Sequence, residues 1–453
     1  MNPRAIVSGV VGAFCLALTG CQGEIGGVDV ADAAVSPDVV VLPDTPGVDA
    51  PAADVESPEA TARRVAAETA RRVITAVAGR QVTTLEEGAY GLASWEEVTR
   101  NRAPRGVTWL YPWGVTLYGM LRASDASGDA RWRDYVLRHN AIVGRYYQYL
   151  RAVNDAWGAT HRAEVDRMIH ESPIAGPFLL VSLDNCGAMS AQMMEGVLRS
   201  GDTITPEQET LLGSVADYIS MGQSRLPDGT LWRPEQSRTL WIDDLYMSCP
   251  FLVRWAQHTG EARYLDDAAR QVALFAGRQQ DTDGLWYHAN FIGDMQRSPY
   301  KWGRANGWAM VATVEVLSAL PDDHPLRPAL LQILRAHIAG VARLQAPSGR
   351  WHQVLDHAEL WEETSCTAMF TYSIARAVRR GWVDAAMLPV VLRGLQGMAA
   401  NVAADGSIQQ TCAGTGIGTD LAYYASRPRP LNDIHGPGPV LLAASEALAA
   451  VSE

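Results

Sequence analysis

The sequence predicts an all-α protein, a closed ring of six helical hairpins forming an (α/α)6 barrel. Three observations carry this expectation. Apolar residues recur at helical spacing in twelve segments between residues 61 and 453, a glycine-centred turn returns about every 60 residues, and strand-like alternation is scarce.

The helical segments run, in order, Arg63–Val77, Val115–Leu121, Trp132–Leu150, Ala188–Leu198, Pro206–Met221, Leu245–His258, Tyr264–Gly277, Gly307–Leu320, Pro328–Leu344, Thr367–Arg380, Ala385–Val402 and Gly438–Val451. Between them come Asp228-Gly229-Thr230-Leu231-Trp232, Asp283-Gly284-Leu285-Trp286, Ser348-Gly349-Arg350-Trp351 and Asp405-Gly406-Ser407-Ile408. Their glycines lie 55, 65 and 57 residues apart, the length of one hairpin with its loops. An open solenoid shares this period. Turns that carry tryptophan instead of a bland polar edge favour a closed ring with an aromatic rim.

Ahead of the barrel (residues 61–453) the composition changes. Met1–Arg4 gives a short positive start and Ala5–Leu18 a mostly apolar stretch, so residues 1–20 read as an export signal. The signal closes on Leu18-Thr19-Gly20-Cys21, which resembles a bacterial lipobox and marks Cys21 for lipidation. The expectation is an exported lipoprotein facing the periplasm or held at the outer membrane. Residues 21–60 hold nine acids, no base and no aromatic residue, the composition of a disordered tether. The net charge of −12 is therefore concentrated there, and the rest of the chain is near neutral. No basic patch points to nucleic acid. Cys186, Cys249, Cys366 and Cys412 are widely separated and lack metal-type spacing, so they read as free buried thiols.

Fourteen Trp against six Phe is an inverted ratio, and indoles are common platforms for sugar faces. Trp109, Trp113, Trp232, Trp241, Trp286, Trp302, Trp308 and Trp351 lie in turns or at helix starts. Any one of them alone reads more readily as core; together they favour a carbohydrate cleft.

Three segments concentrate polar groups. Ser182-Leu183-Asp184-Asn185-Cys186-Gly187 opens a helix, where Asp184 is either functional or a cap. In Thr239-Leu240-Trp241-Ile242-Asp243-Asp244-Leu245 two carboxylates share one helix start and cannot both cap it. One would face an apolar pocket, where burial and a neighbouring carboxylate raise its pKa enough to donate a proton at neutral pH. Trp302-Gly303-Arg304-Ala305-Asn306-Gly307-Trp308 sets a guanidinium between two indoles, either as a carboxylate clamp or as cation–π packing. Other templates fail. There is no G-x-S-x-G, H-E-x-x-H or P-loop, and Asp281-Thr282-Asp283-Gly284 lacks the Glu that closes a calcium loop.

These blocks, followed by Gln353-Val354-Leu355-Asp356, Glu363-Thr364-Ser365 and Asn432-Asp433-Ile434-His435-Gly436, resemble glycoside hydrolase family 105, the unsaturated rhamnogalacturonyl hydrolases, and the related family 88 unsaturated glucuronyl hydrolases. The resemblance implies an (α/α)6 barrel with neither metal nor cofactor, acting on oligosaccharides whose non-reducing end carries a 4,5-unsaturated uronate. It implies that Asp243 protonates C4 and then deprotonates the water that adds at C5, and that Asp184 holds substrate and tunes Asp243. Arg304, Asn306, Trp302 and Trp308 match the uronate-binding block; His288, Trp113 and Trp241 join them as expected substrate contacts. Asp244 stays open as the alternative acid. Two rival readings are a glycan-binding lipoprotein without chemistry and a polysaccharide lyase using Lys301, Arg304 and His288.

Overall fold

The computed structural model describes residues 56–201, 203–236, 238–293 and 296–452. The expected signal, Cys21 and the tether up to residue 55 lie outside them. Twelve helices build the barrel: α1 (Pro58–Gln81), α2 (Tyr111–Ser127), α3 (Ala130–Trp157), α4 (Gly187–Ser200), α5 (Pro206–Asp217), α6 (Cys249–Thr259), α7 (Ala262–Gln279), α8 (Gly303–Ala319), α9 (Arg327–Ala342), α10 (Thr364–Arg379), α11 (Leu388–Ala399) and α12 (Pro437–Ser452). The first starts slightly ahead of the expected edge at residue 61. Ser57 accepts a hydrogen bond from the Ala60 N–H and Pro58 pre-sets the first turn, while that turn faces solvent and shows no apolar pattern.

The even-numbered helices form the inner ring. Each packs on the next, α2 on α4, α4 on α6, α6 on α8, α8 on α10 and α10 on α12, and α12 returns to α2, so the ring closes. A helix walled by partners on every side needs apolar or small residues all round. In α8 every residue from Gly303 to Leu317 is buried, and in α10 every residue from Thr364 to Ala377. The odd-numbered helices lie outside: α7, for instance, shows a buried stripe of Ala268, Ala269, Val272, Phe275 and Ala276.

The repeated turns have a different job from the one expected. Gly284 and Gly349 have φ of 88° and 84°, the left-handed region open to glycine. A Cβ at Gly284 would lie 2.1 Å from the Ala336 carbonyl oxygen, and one at Gly349 would lie 2.1 Å from that of Arg393. Each turn is thus pressed against the next outer helix, which is why glycine recurs. The tryptophans that follow, Trp286 and Trp351, are fully buried and anchor the turn to the core instead of lining a rim.

The far half of the inner ring is cross-linked by buried ions. Glu315 of α8 accepts from Arg254 of α6 (2.5 Å), Arg376 of α10 (2.9 Å), Tyr118 of α2 (3.1 Å) and Tyr372 of α10. Glu446 of α12 accepts from Arg376, Arg379 and Arg122, and Glu195 of α4 from Arg254 and Arg199. All six inner helices join this network where their C-terminal dipole ends gather, a place that favours cations. The four cysteines expected to be free are unpaired and buried. Among the described residues no helix is long and apolar enough to cross a membrane.

Candidate active site

At the opposite end, the segments leading into the inner helices carry the expected chemistry. Strand Thr239–Trp241 runs antiparallel to Ala289–Phe291, with Trp241 opposite Ala289. The chain then turns through a 3₁₀ segment, Ile242–Leu245, into α6. This pairing sets the residue before Ala289, His288, beside the residue after Ile242, Asp243. A second 3₁₀ turn, Leu183–Asn185, brings Asp184 in ahead of α4, which is tied to the same corner by the Gly187 N–H donating to the Met247 carbonyl at 3.0 Å.

Arg233 grips two of the three carboxylates. Its Nε donates to both oxygens of Asp244 (3.0 and 3.1 Å), its Nη2 to Asp184 Oδ1 (3.0 Å) and its Nη1 to Asp184 Oδ2 (3.2 Å). Asp244 is wholly enclosed, whereas Asp184 is 38% exposed in its side chain. Asp243 makes no such pair. Its Oδ2 is buried without a hydrogen-bond partner and lies 3.7 Å from His288 Nε2, which is also unpartnered. Burial, helped by Asp184 and Asp244 and opposed by Arg233 and Arg304, raises the Asp243 carboxyl to about 7. Burial and the positive Arg304 hold His288 down at about 3, so its ring is neutral. Its Nδ1 meets the Tyr424 hydroxyl at 2.7 Å, and that hydroxyl accepts from the Gly418 N–H at 3.1 Å. His288 Nδ1 and the Tyr424 hydroxyl thus share one hydrogen bond, and Nε2 is left facing Asp243.

The aromatic residues divide. Trp241 is half-buried and stands edge-on to His288 at 5.6 Å between centroids, and Trp302 lies 4.6 Å from the same ring with its Nε1 unpartnered. Trp113 is half-buried and donates to His139 Nε2 at 3.1 Å, and it lines a rim cavity of about 220 Å³ with Leu110 and Ile434. Trp308 is enclosed against Tyr246 at 4.6 Å and supports the site from behind.

Two expectations need correction. Arg304 does not stand as an open clamp: its Nη1 donates to the Cys412 carbonyl (2.6 Å), its Nη2 to that of Ala413 (2.8 Å), and the guanidinium stacks 4.6 Å from Trp302. The cation–π alternative describes its contacts, and its charge still bears on Asp243 and His288. Asn306 is fully buried and spent on the fold. Its Oδ1 accepts the Trp286 N–H (2.8 Å) and its Nδ2 donates to the Trp286 and Trp302 carbonyls (2.8 and 3.0 Å), so it pins a turn to α8. Asp281 and Asp283 hold Lys301 at 2.8 and 2.6 Å, which binds the turn internally.

The sequence reading missed Arg233, whose single guanidinium in a turn leaves no periodic signal. It also missed a chain of hydrogen bonds at the start of α2 and α12. Tyr111 Oη lies 2.6 Å from His435 Nε2, and His435 Nδ1 lies 2.6 Å from Asp433 Oδ1. Among the described residues no group of three or more His, Cys, Asp or Glu is placed to hold a metal ion.

Comparison with known proteins agrees with this architecture. A crystal structure of a possible member of the GH105 family from Salmonella enterica subsp. enterica serovar Paratyphi A superposes with a TM-score of 0.63 at 22% identity, over 89% of this chain and 97% of that one. The unsaturated rhamnogalacturonyl hydrolase YesR of Bacillus subtilis (strain 168) is 25% identical over 339 residues, 71% of this chain and 84% of YesR. An unsaturated 3S-rhamnoglycuronyl hydrolase of Alteromonas sp. (strain LOR) is 26% identical over 243 residues, about half of each chain. The model of Glycosyl Hydrolase Family 88 matches residues 75–451, which takes in the whole inner ring and every carboxylate just described. With the barrel, the ordered motif blocks and this match in agreement, the chain belongs to glycosyl hydrolase family 88, and it is a glycoside hydrolase.

Proposed function

We propose that the enzyme removes a 4,5-unsaturated uronate, galacturonate linked to rhamnose being the preferred case, from the non-reducing end of oligosaccharides left by a polysaccharide lyase. The observation that carries this reading is Asp243: a carboxyl held near 7, with a naked oxygen beside a neutral imidazole, while Arg233 pairs with the two carboxylates around it. Similarity to an unsaturated rhamnogalacturonyl hydrolase supports the choice of sugar. Six inner-helix N-termini directed at the same end favour an anionic substrate.

In this mechanism Asp243 gives its proton to C4 of the vinyl ether, and positive charge develops at C5, shared with the ring oxygen. A water adds at C5 and passes a proton to the Asp243 carboxylate, which restores the acid. The hemiketal opens to a C5 ketone, and the former C1 acetal releases the neighbouring sugar. The neutral His288 ring, 3.7 Å from Asp243 Oδ2, shields the carboxyl from water and keeps it protonated until substrate takes the proton. Asp184, half-exposed on Arg233, offers an acceptor for substrate hydroxyls.

The test is ultraviolet absorbance with unsaturated galacturonyl-rhamnose, unsaturated glucuronyl and unsaturated digalacturonyl substrates. Loss of absorbance on the first and slower loss on the others is the expected result. Absorbance that rises on saturated polymer would make the protein a lyase, and binding without any change would make it a glycan-binding protein.

We also propose that the chain is exported and anchored through Cys21, on the strength of Leu18-Thr19-Gly20-Cys21. Metabolic lipid labelling that persists in a Cys21→Ser variant would refute the anchor.

A further inference from the structure

The hydrogen-bonded chain from Asp433 through His435 to Tyr111 has a fixed polarity. Asp433 is held below the usual carboxylate range by its bonds from His435, so it accepts. It takes both the His435 backbone N–H (3.0 Å) and Nδ1–H (2.6 Å). Burial and the Arg304 charge keep the His435 ring from taking a second proton, so Nε2 carries a lone pair. The Tyr111 hydroxyl, 2.6 Å away, must then donate to Nε2. Its proton is committed, and the oxygen is left with lone pairs alone for anything else it meets.

Tyr111 stands at the first residue of α2, edge-on to Trp308 and within electrostatic reach of Asp184, Asp243 and Arg304. The geometry points to Tyr111 as an obligate hydrogen-bond acceptor in the active site that holds the attacking water, with His435 and Asp433 as the residues that position it. A water about to add at C5 has two hydrogens. One goes to the Asp243 carboxylate; the other needs an acceptor that will not compete by donating, and Tyr111 supplies it. No net proton moves along the chain. This inference rests on the hydration reaction proposed above.

The test combines Tyr111→Phe, His435→Leu and the Tyr111→Phe/His435→Leu double variant. The expected result is a tens-fold fall in kcat for each single variant, KM within about twofold of the parent, and a double variant no slower than the worse single one. Non-additivity of this kind marks one device acting through the tyrosine oxygen, and a kcat-only loss with the unfolding midpoints unchanged separates it from a purely structural role. Asp433→Asn should lower kcat in the same sense. A rise in KM with kcat intact would mean that Tyr111 binds a sugar hydroxyl, and additive losses or unchanged kcat would dissolve the device; either result overturns the inference. ¹⁵N chemical shifts of His435 give a second, substrate-free readout: the proton belongs on Nδ1, and an Nε2–H tautomer refutes the polarity. Failure of the parent enzyme on every unsaturated substrate would instead strike the reaction proposed above.

Discussion

Asp243 and Asp244 are consecutive, yet only one has a counter-ion: Arg233 grips both oxygens of Asp244 at 3.0 and 3.1 Å, while Asp243 Oδ2 stands unbonded 3.7 Å from His288 Nε2. A 3₁₀ turn, with about three residues per turn, sends successive side chains about 120° apart, so the pair cannot share a partner. This separates their mutational signatures. Asp243→Asn keeps the shape and is expected to cost about 100- to 10,000-fold in turnover with substrate binding retained. Asp244→Asn leaves a buried guanidinium short of a carboxylate and is expected to lose about 3 kcal/mol of stability, read by denaturant unfolding.

The pH profile follows from the raised Asp243 carboxyl. The reaction needs its protonated form, so kcat/KM should fall as pH rises through about 7. Stability moves the same way. A folded pKa above the unfolded one means that the unfolded chain releases the proton first, so the contribution of this group is complete below about pH 4 and is lost as pH climbs toward 7. Asp243→Asn should flatten that part of the stability curve, and a parent-like slope in the variant would count against the assignment.

Asn306 serves as a test of a corrected expectation. Because all its hydrogen bonds are internal, Asn306→Ala should destabilise the fold by about 2–3 kcal/mol by orphaning the Trp286 N–H and carbonyl. The folded variant should keep its KM. A large rise in KM without loss of stability would restore the residue to the substrate site.

Glu315 tests the far end. Replacing it with Gln leaves Arg254 and Arg376 without a shared carboxylate, and a loss of about 3–5 kcal/mol is expected. The active site sits at the other end of the ring, so activity of the folded fraction should be unchanged.

The helical repeat and the order of the motif blocks were legible because each is a local pattern. Periodicity is set by residues within a turn or two of each other, and glycine recurs wherever a turn must enter the left-handed region and meet the next helix, as at Gly284 and Gly349. Asp243 and Asp184 were legible because they sit in dense polar segments, His288 only through the family resemblance, and the structure brings these three together.

The aromatic rim was misjudged for a related reason. Sequence shows that Trp286, Trp351 and Trp308 stand near turns; it does not show which side of the turn each side chain takes. Each was drawn inward because an indole buries far more apolar surface against a helix than on a wet rim.

By itself, then, the sequence determined the twelve-helix repeat, the glycine turns and the block that holds the candidate acid. Tertiary structure decided which carboxylate is left unpaired, by bringing Arg233 to Asp184 across 49 residues of chain, and it built the Tyr111–His435 bond across 324. Charge state and hydrogen-bond polarity depend on what lies within a few ångströms in space, and closure of the ring makes residues from opposite ends of the barrel domain into such neighbours.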